Sequence, residues 1–344
     1  MSRSPLLRMT SAGLYCEAGG FHVDPCEAVA KAVITHGHAD HLTRGCRQYL
    51  TARQGRDVVA GRLGPTANLA TLAYGETLTL GGTTVSLHPA GHILGSAQVR
   101  IEHRGEVWVV TGDYKTTADA ICTPFEPVRC HTLITESTFG HPFFVWPQVA
   151  GVLADLHGWW RANQAEGKAS FLYVYALGKA QRVLAALDPS TGPIYAHPDI
   201  AAINHIYARQ GAVFPAHGEL RDDRLAADWP QALLLLPPSA RWRQPCPFHG
   251  HYATGFVSGW MLMSDGAHRR RVQRGFALSD HADHAEILAT VAATGAERIG
   301  VMHGHVDVLV ADLLERGREA FPFRSPRCKD PPAVAPAREA HAGD

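Results

Sequence analysis

The chain has 344 residues, 46% of them hydrophobic and 19% charged, a balance that supports sizeable cores and argues against a disordered chain. At roughly 150 residues per domain, the length suggests two domains. Lys+Arg and Asp+Glu both number 32, so the formal net charge is zero. That argues against a generally basic nucleic-acid binder and leaves room for a local basic groove.

The first third reads as short strands and turns. Residues 19–25 form a strand ending in a turn. Residues 32–35 form a buried strand that runs straight into histidines. Segments 77–80 and 83–88 pair as a hairpin around Gly81-Gly82, and 99–102 with 107–110 as a second hairpin near Gly105. Residues 132–135 are another buried strand. A helix is expected over 149–163 from the spacing of Val152, Leu153, Leu156 and Trp159/Trp160. A strand at 171–175 and a helix over 178–187 follow, and this alternation suggests a parallel α/β segment to about residue 274. Then come a strand at 275–278, a helix at 285–293 and a strand at 298–302. Residues 325–344, rich in Pro and Ala, read as a loose tail.

The longest apolar run, 232–236, is far short of the ~20 residues of a membrane span, and residues 1–20 lack an apolar signal core. The seven cysteines, Cys16, Cys26, Cys46, Cys122, Cys130, Cys246 and Cys328, are odd in number and contain no C-x-x-C pair. Free thiols in a reducing cytoplasm fit this better than disulfides or a cysteine zinc site. The expectation is a cytoplasmic protein without a membrane partner.

Histidine is the compositional outlier, with 21 residues, and it is the usual ligand of zinc and similar metals. Thr35-His36-Gly37-His38-Ala39-Asp40-His41 places three histidines and an aspartate behind a buried strand. The bland reading of such a loop is a solvated polar segment, but its density can aim ligands at two metals from one stretch of backbone. His88, His103, His131, His141, His197, His205, His217, His249 and His251 fit no ligand spacing and read as surface or hydrogen-bonded residues.

His36, His38, Asp40 and His41 match the H-x-H-x-D-H signature of the metallo-β-lactamase fold, which this chain resembles. Asp24 at a strand end resembles that fold's first motif, 89–96 with His92 its third, and 111–114 with Asp113 its fourth. Later segments resemble the β-CASP nucleases of this superfamily: Thr135-Glu136-Ser137-Thr138 motif A, Ser279-Asp280-His281-Ala282-Asp283 motif B, and Val301-Met302-His303-Gly304 motif C. Strings 32–41, 112–115 and 125–130 look most like the bacterial ligase-associated DNA exonucleases.

The resemblance implies an αββα sandwich, built from residues 1–140 and 277–325, with an inserted α/β β-CASP cap at 141–276 and a tail at 326–344. It implies that His36, His38 and His92 hold one metal, that Asp40, His41 and His303 hold the other, and that Asp113 bridges them. Two divalent transition-metal ions are expected, zinc first, with manganese or iron also suited to these ligands. The implied reaction is phosphodiester hydrolysis by a hydroxide shared between the metals, with Asp40, Glu136 and His281 as catalytic candidates. His281, beside Glu136, would protonate the departing 3′-oxygen.

The implied substrate is DNA, single-stranded or at an end, degraded 5′→3′ in repair beside a DNA ligase and a helicase. RNA processing is the alternative, because a histidine in motif C is common among RNA-acting members. A lactamase- or thioesterase-like hydrolase is a more distant one. Lys179, Ser258 and Ser279 are the phosphate-binding candidates. Lys179 and Arg182 fall at an expected helix N-terminus, which favours phosphate. Arg269-Arg270-Arg271 with Arg274, and Arg241-Trp242-Arg243, could also meet a nucleic acid. In an extended 302–305 segment, alternation would put His303 and His305 on one face.

Overall fold

The computed structural model describes residues 5–220, 229–240 and 251–324. Its first sheet has the order of the chain: β1 (Leu7–Thr10), β2 (Gly13–Cys16), β3 (Phe21–Val23), β4 (Lys31–Val33), β5 (Gln48–Ala52) and β6 (Leu69–Leu72). Helix α1 (Arg56–Leu63) connects the last two strands. The second sheet opens with β7 (Thr77–Leu80), β8 (Thr83–Pro89), β9 (Ala97–His103), β10 (Glu106–Val110) and β11 (Thr132–Ser137). The two expected hairpins are β7–β8 and β9–β10; β8 also pairs with β9, all antiparallel, whereas β11 joins β10 in parallel.

The chain then leaves this sheet. Helix α2 (Val149–Ala165) leads into a third sheet, all parallel, made of β12 (Ala169–Tyr173), β13 (Ile194–Ala196), β14 (Gly218–Glu219), β15 (Leu233–Leu236), β16 (Tyr252–Val257) and β17 (Arg274–Phe276). Helices α3 (Lys179–Ala185), α4 (Pro198–Arg209) and α5 (Gly266–Arg269) lie along it in sequence. Finally α6 (His284–Thr294), β18 (Arg298–Gly304), α7 (Val306–Glu315) and β19 (Glu319–Pro322) return the chain to the second sheet, whose order is β19-β18-β11-β10-β9-β8-β7.

The layering follows from which faces are apolar. Leu7, Leu14, Phe21 and Val33 of the first sheet meet Val85, Val99, Ile101 and Ile134 of the second, all buried. Each such side chain contributes about 1.5–3 kcal/mol by leaving water. The outer face of the second sheet, with Val109, Leu133, Ile299 and Val301, is covered by Ile287 and Val291 of α6 and Leu309 and Leu313 of α7. Ala32 and Tyr49 on the outer face of the first sheet pack with Val59 of α1. The result is a helix–sheet–sheet–helix sandwich. In the third sheet both faces are buried, as a parallel sheet requires. Leu172, Leu233 and Leu235 pack on Leu156, Trp160, Val183 and Ile200, while Phe171, Leu234, Leu236 and Phe256 fill the opposite face.

Two apolar clusters fasten the third-sheet unit to the sandwich. Val58, Ile93, Leu94 and Ile121 meet Leu177 and Tyr207 in one. Phe139, Phe144 and Met263 form the other, with Trp146 and Trp260 against them. Among the described residues no helix is long and apolar enough to cross a membrane.

Candidate metal centre and its cleft

Strands β8, β10, β11 and β18 run in the same direction. Their carboxyl ends therefore share one edge of the sandwich, and β4 ends there too. Residues just beyond or at those ends are His36–His41 after β4, His92 after β8, Asp113 after β10, Glu136 in β11 and His303 in β18. The close approach of the two sheets at this edge requires glycine at 112. Its φ is +57°, and a Cβ there would lie 2.6 Å from the Cβ of Thr35.

Asp24, just beyond β3, organises the histidine loop from beneath. Its carboxylate accepts the Thr35 amide at 2.8 Å, the Thr35 hydroxyl at 2.5 Å and Nδ1 of His41 at 2.7 Å. These bonds also decide tautomers. The hydroxyl proton of Thr35 is committed to Asp24, so Thr35 Oγ1 accepts from Nδ1–H of His36 at 3.0 Å. His38 Nε2–H donates to the carbonyl of Leu177 at 3.2 Å, and His92 Nδ1–H to the carbonyl of Asp280 at 2.7 Å. Each ring therefore turns a bare lone pair inward: His36 Nε2, His38 Nδ1 and His92 Nε2.

His38 Nδ1 lies 3.0 Å from each of the other two nitrogens. Three lone pairs meeting with no hydrogen between them repel one another unless a cation lies among them. This donor set fits a borderline transition metal such as zinc. Asp113 completes the group, and the four ligand atoms lie within 4.8 Å of one another. Burial pushes His36, His38 and His92 below the usual histidine range, the neutral form a metal needs. Burial opposes ionisation of Asp113, but the neighbouring His41 charge outweighs it and holds the carboxyl well below its usual range.

Asp40, His41 and His303 lie beside this group. His41 Nε2 is 3.4 Å from Asp113 Oδ2 and 4.0 Å from Asp40 Oδ2, and its ring centre is 5.3 Å from that of His303. Asp40 is exposed at the rim. His303 has φ +52°, and the β11–β18 register slips at Glu136/Ser137. This bulge breaks the simple alternation expected for 302–305. His303 lines the cavity above the histidines, whereas His305 immediately precedes α7 and is buried, with its ring centre 5.6 Å from Phe144 and 5.5 Å from His141.

Next to the histidine group stands a carboxylate–imidazole pair. Both Glu136 oxygens are 3.0 Å from His281 Nδ1. Glu136 is held in turn by the amide of Tyr114 at 2.9 Å. Burial disfavours a charged His281, but the Glu136 carboxylate prevails and raises its pKa to about 9. The loop carrying His281 is anchored by a capping box, in which Asp283 accepts the Glu286 amide at 2.9 Å and Glu286 accepts the Asp283 amide at 3.0 Å.

A cavity of about 510 Å³ opens above these groups, lined by His38, Asp40, His41, Asp113, His281 and His303 from the sandwich and by Tyr175, Leu177, Lys179, Ser258 and Trp260 from the third-sheet unit. Lys179 and Ser258 thus border it. Ser279 is not among the lining residues; its hydroxyl accepts the His281 amide at 3.0 Å. Nor does the start of α3 offer bare cations. Lys179 is buried and paired with Asp280 at 2.7 Å. Arg182 is buried too, bound to Asp119 at 2.5 Å and to the carbonyls of Gly91 and His92 at 3.1 and 3.2 Å. It braces the His92 loop. Arg269 pairs with Asp265 and Arg274 with Asp155, so the basic run is partly neutralised. Arg241-Trp242-Arg243 lies outside the described residues. Asp280 was given no role by the sequence, yet its carbonyl sets the His92 tautomer and its carboxylate takes Lys179; its only signal was its place beside His281.

No family model matches the chain. Over 314 residues it is 31% identical to a probable DNA ligase of Opitutus terrae, a match covering 90% of this chain and 30% of that protein. Over 142 residues it is 32% identical to the endoribonuclease YSH1 of Yarrowia lipolytica, covering 41% of this chain and 17% of the relative. The Saccharomyces cerevisiae endoribonuclease YSH1 is 32% identical over 125 residues. The chain thus spans less than a third of the length of these curated relatives. A crystal structure of an Enterococcus faecalis protein of unknown function shares the fold, with a TM-score of 0.58, 14% identity and coverage of 86% of this chain and 78% of that one.

Proposed function

We propose that the chain is a metal-dependent nuclease of the metallo-β-lactamase/β-CASP class, with residues 1–140 and 277–325 as the sandwich and 141–276 as the cap. The observation that carries this reading is the convergence of three imidazole lone pairs and Asp113 next to the Glu136–His281 pair. The similarity to endoribonucleases, and to a protein named as a DNA ligase, supports a nucleic-acid substrate.

In this reading His36, His38, His92 and Asp113 hold one divalent ion, and Asp113, Asp40, His41 and His303 a second, zinc being favoured. When bound, such ions make water nucleophilic near neutral pH and neutralise charge on the scissile phosphate. The protein's own residues do the rest. Asp24 and Thr35 hold the histidine tautomers. Glu136 engages Nδ1 of His281, leaving Nε2 as its proton donor towards the cavity. Without metal the Glu136 carboxylate raises the His281 pKa to about 9, which makes this imidazole the group to deliver a proton to the leaving 3′-oxygen. Asp40, exposed at the rim of the cavity, is the remaining catalytic candidate. Ser258 and Lys179 border the phosphate path, and Ser279 orients His281.

The finer assignment is a 5′→3′ DNA exonuclease working in repair alongside a ligase and a helicase. RNA cleavage is the competing reading, favoured by the endoribonuclease relatives and by His303. Labelled single-stranded DNA and RNA of one sequence, with and without a 5′-phosphate, decide between them. Release of mononucleotides from the 5′ end of DNA supports the first, and internal cuts in RNA alone support the second.

A further inference from the structure

The clustered histidines fall into two sets by what orients them. His36 and His41 are held from within the sandwich, by Thr35 and Asp24. His38 and His92 are held through the third-sheet unit. Nε2–H of His38 donates at 3.2 Å to the carbonyl of Leu177, which lies just before α3. Nδ1–H of His92 donates to the carbonyl of Asp280, whose buried carboxylate is tied at 2.7 Å to Lys179, the first residue of α3. The loop that carries His92 is gripped from the same side. Arg182 donates to the carbonyls of Gly91 and His92, and the hydroxyl of Tyr207, on α4, accepts the Leu94 amide at 3.0 Å. A group that fixes a ligand's outer N–H governs how well that ligand binds, although it never meets the ion.

The turn that supplies the Leu177 carbonyl is itself locked. Gly178 has φ +86°, and a Cβ there would collide with Cγ2 of the buried Ile93, next to His92. Its amide donates to Oε1 of Gln181 at 2.7 Å. Nε2 of Gln181 donates to the carbonyl of Ala176 at 3.1 Å and to Oδ1 of Asn204, on α4, at 2.8 Å. Gln181 and Asn204 are both buried. The turn is therefore set from two sides, by the close approach of glycine to the His92 loop and by the amide chain that runs back to α4.

We propose that Leu177, Gly178 and Tyr207 of the third-sheet unit are positioning residues for the ion held by His36, His38, His92 and Asp113, so that ion binding and docking of this unit reinforce one another. The proposal rests on the metal centre of the reading above and is independent of its substrate. Coupling of this kind is reciprocal: whatever the docked unit adds to the affinity for the ion, the ion returns to docking.

The test uses the full chain stripped with chelator, and zinc or cobalt(II) alone as the probe. Zinc affinity is read by competition with a chromogenic chelator, and the cobalt(II) form by its visible absorption. Gly178→Ala should weaken zinc binding by about 10- to 100-fold, the usual effect of losing an outer partner of a ligand, and shift the cobalt(II) spectrum. Tyr207→Phe keeps the ring in its apolar cluster and should weaken zinc binding about two- to ten-fold, the worth of one hydrogen bond. In the wild-type chain, zinc should slow amide exchange across residues 176–182 by about five-fold or more. A merely structural role would lower the melting temperature in chelator and leave the cobalt(II) spectrum unmoved. Wild-type affinity and spectrum in both variants, or exchange at 176–182 that zinc leaves unchanged, overturns the inference while the metal centre stands. If Gly178→Ala does not fold, Tyr207→Phe and the exchange measurement decide. Wild-type chain that binds neither zinc nor cobalt(II) refutes the metal centre itself.

Discussion

At the scale of single residues, the site is decided by where protons sit. The lone-pair argument for His36, His38 and His92 depends on the Thr35 hydroxyl and on the backbone carbonyls of Leu177 and Asp280. Spacing made His36 and His38 legible, because three histidines with an aspartate after a buried strand are rare, whereas His92 was reached only through the resemblance to the metallo-β-lactamase fold. The carbonyls that fix their tautomers were illegible, because any residue supplies a carbonyl and only the fold brings Leu177 and Asp280 to the right rings.

Asp113→Ala should remove nearly all cleavage and lower the bound metal measured by elemental analysis. His88→Ala should be mild, since His88 lies 3.0 Å from Ser86 and away from the cluster. His281→Ala should slow cleavage by about 10²–10⁴, the usual worth of a general acid, with metal content unchanged. The defect should shrink on a nitrophenyl phosphodiester, whose leaving group needs little protonation. Equal slowing of both substrates would assign His281 a structural role.

At the scale of elements, the strands that end at the site were readable and their supports were less so. The hairpins, β11 and α6 follow from alternation, turn glycines and the Asp283/Glu286 cap. Helices α4 and α7 were not anticipated, although Ile200, Asn204 and Tyr207, and Val306, Leu309 and Leu313, recur at helical spacing. The β-branched residues at 306, 308 and 310 of α7 also suit a strand, and packing on the sheet decides between them. The bulge at His303 has no local signal apart from Gly304, whose φ is +81° and whose Cβ would meet the Ser137 carbonyl at 2.3 Å.

Arg182 was expected to meet phosphate because it falls near a helix start. Instead α3 packs against the His92 loop, and burial turns the arginine into a brace. Arg182→Met should leave Asp119 without its charge partner and two carbonyls without donors. A loss of about 3–5 kcal/mol in denaturant unfolding is expected, the usual cost of breaking a buried pair from one side. A loss below about 1 kcal/mol would show that the brace contributes little.

At the scale of the whole molecule, the cleft exists because two units share one chain that leaves the second sheet after β11 and re-enters it at β18. The site draws ligands from both ends of the sandwich sequence and its roof from the segment between. Without metal, this arrangement buries neutral imidazoles. His36, His38 and His92 are pushed below their unfolded pKa by burial, so unfolding takes up protons as pH falls below about 6.5. His281, raised to about 9, acts in the opposite sense and loses its contribution as pH rises from 6.5 through 9. In chelator, the melting temperature should therefore fall when the pH is lowered from 7 to 5. Added zinc should raise it and steepen that acid loss, because protons then compete with the ion for the same nitrogens. A melting temperature insensitive to both would contradict the buried-ligand picture.

The central claim is that this cluster serves a metal-dependent nuclease. Its most direct test is the time course of end-labelled single-stranded DNA and RNA with zinc or manganese, with excess chelator, and with the Asp113→Ala protein. The account predicts metal-dependent release of products bearing 5′-phosphates, abolished by chelator and by Asp113→Ala. Cleavage undiminished in chelator and in Asp113→Ala, or no cleavage of either nucleic acid by metal-replete wild-type protein, would contradict it.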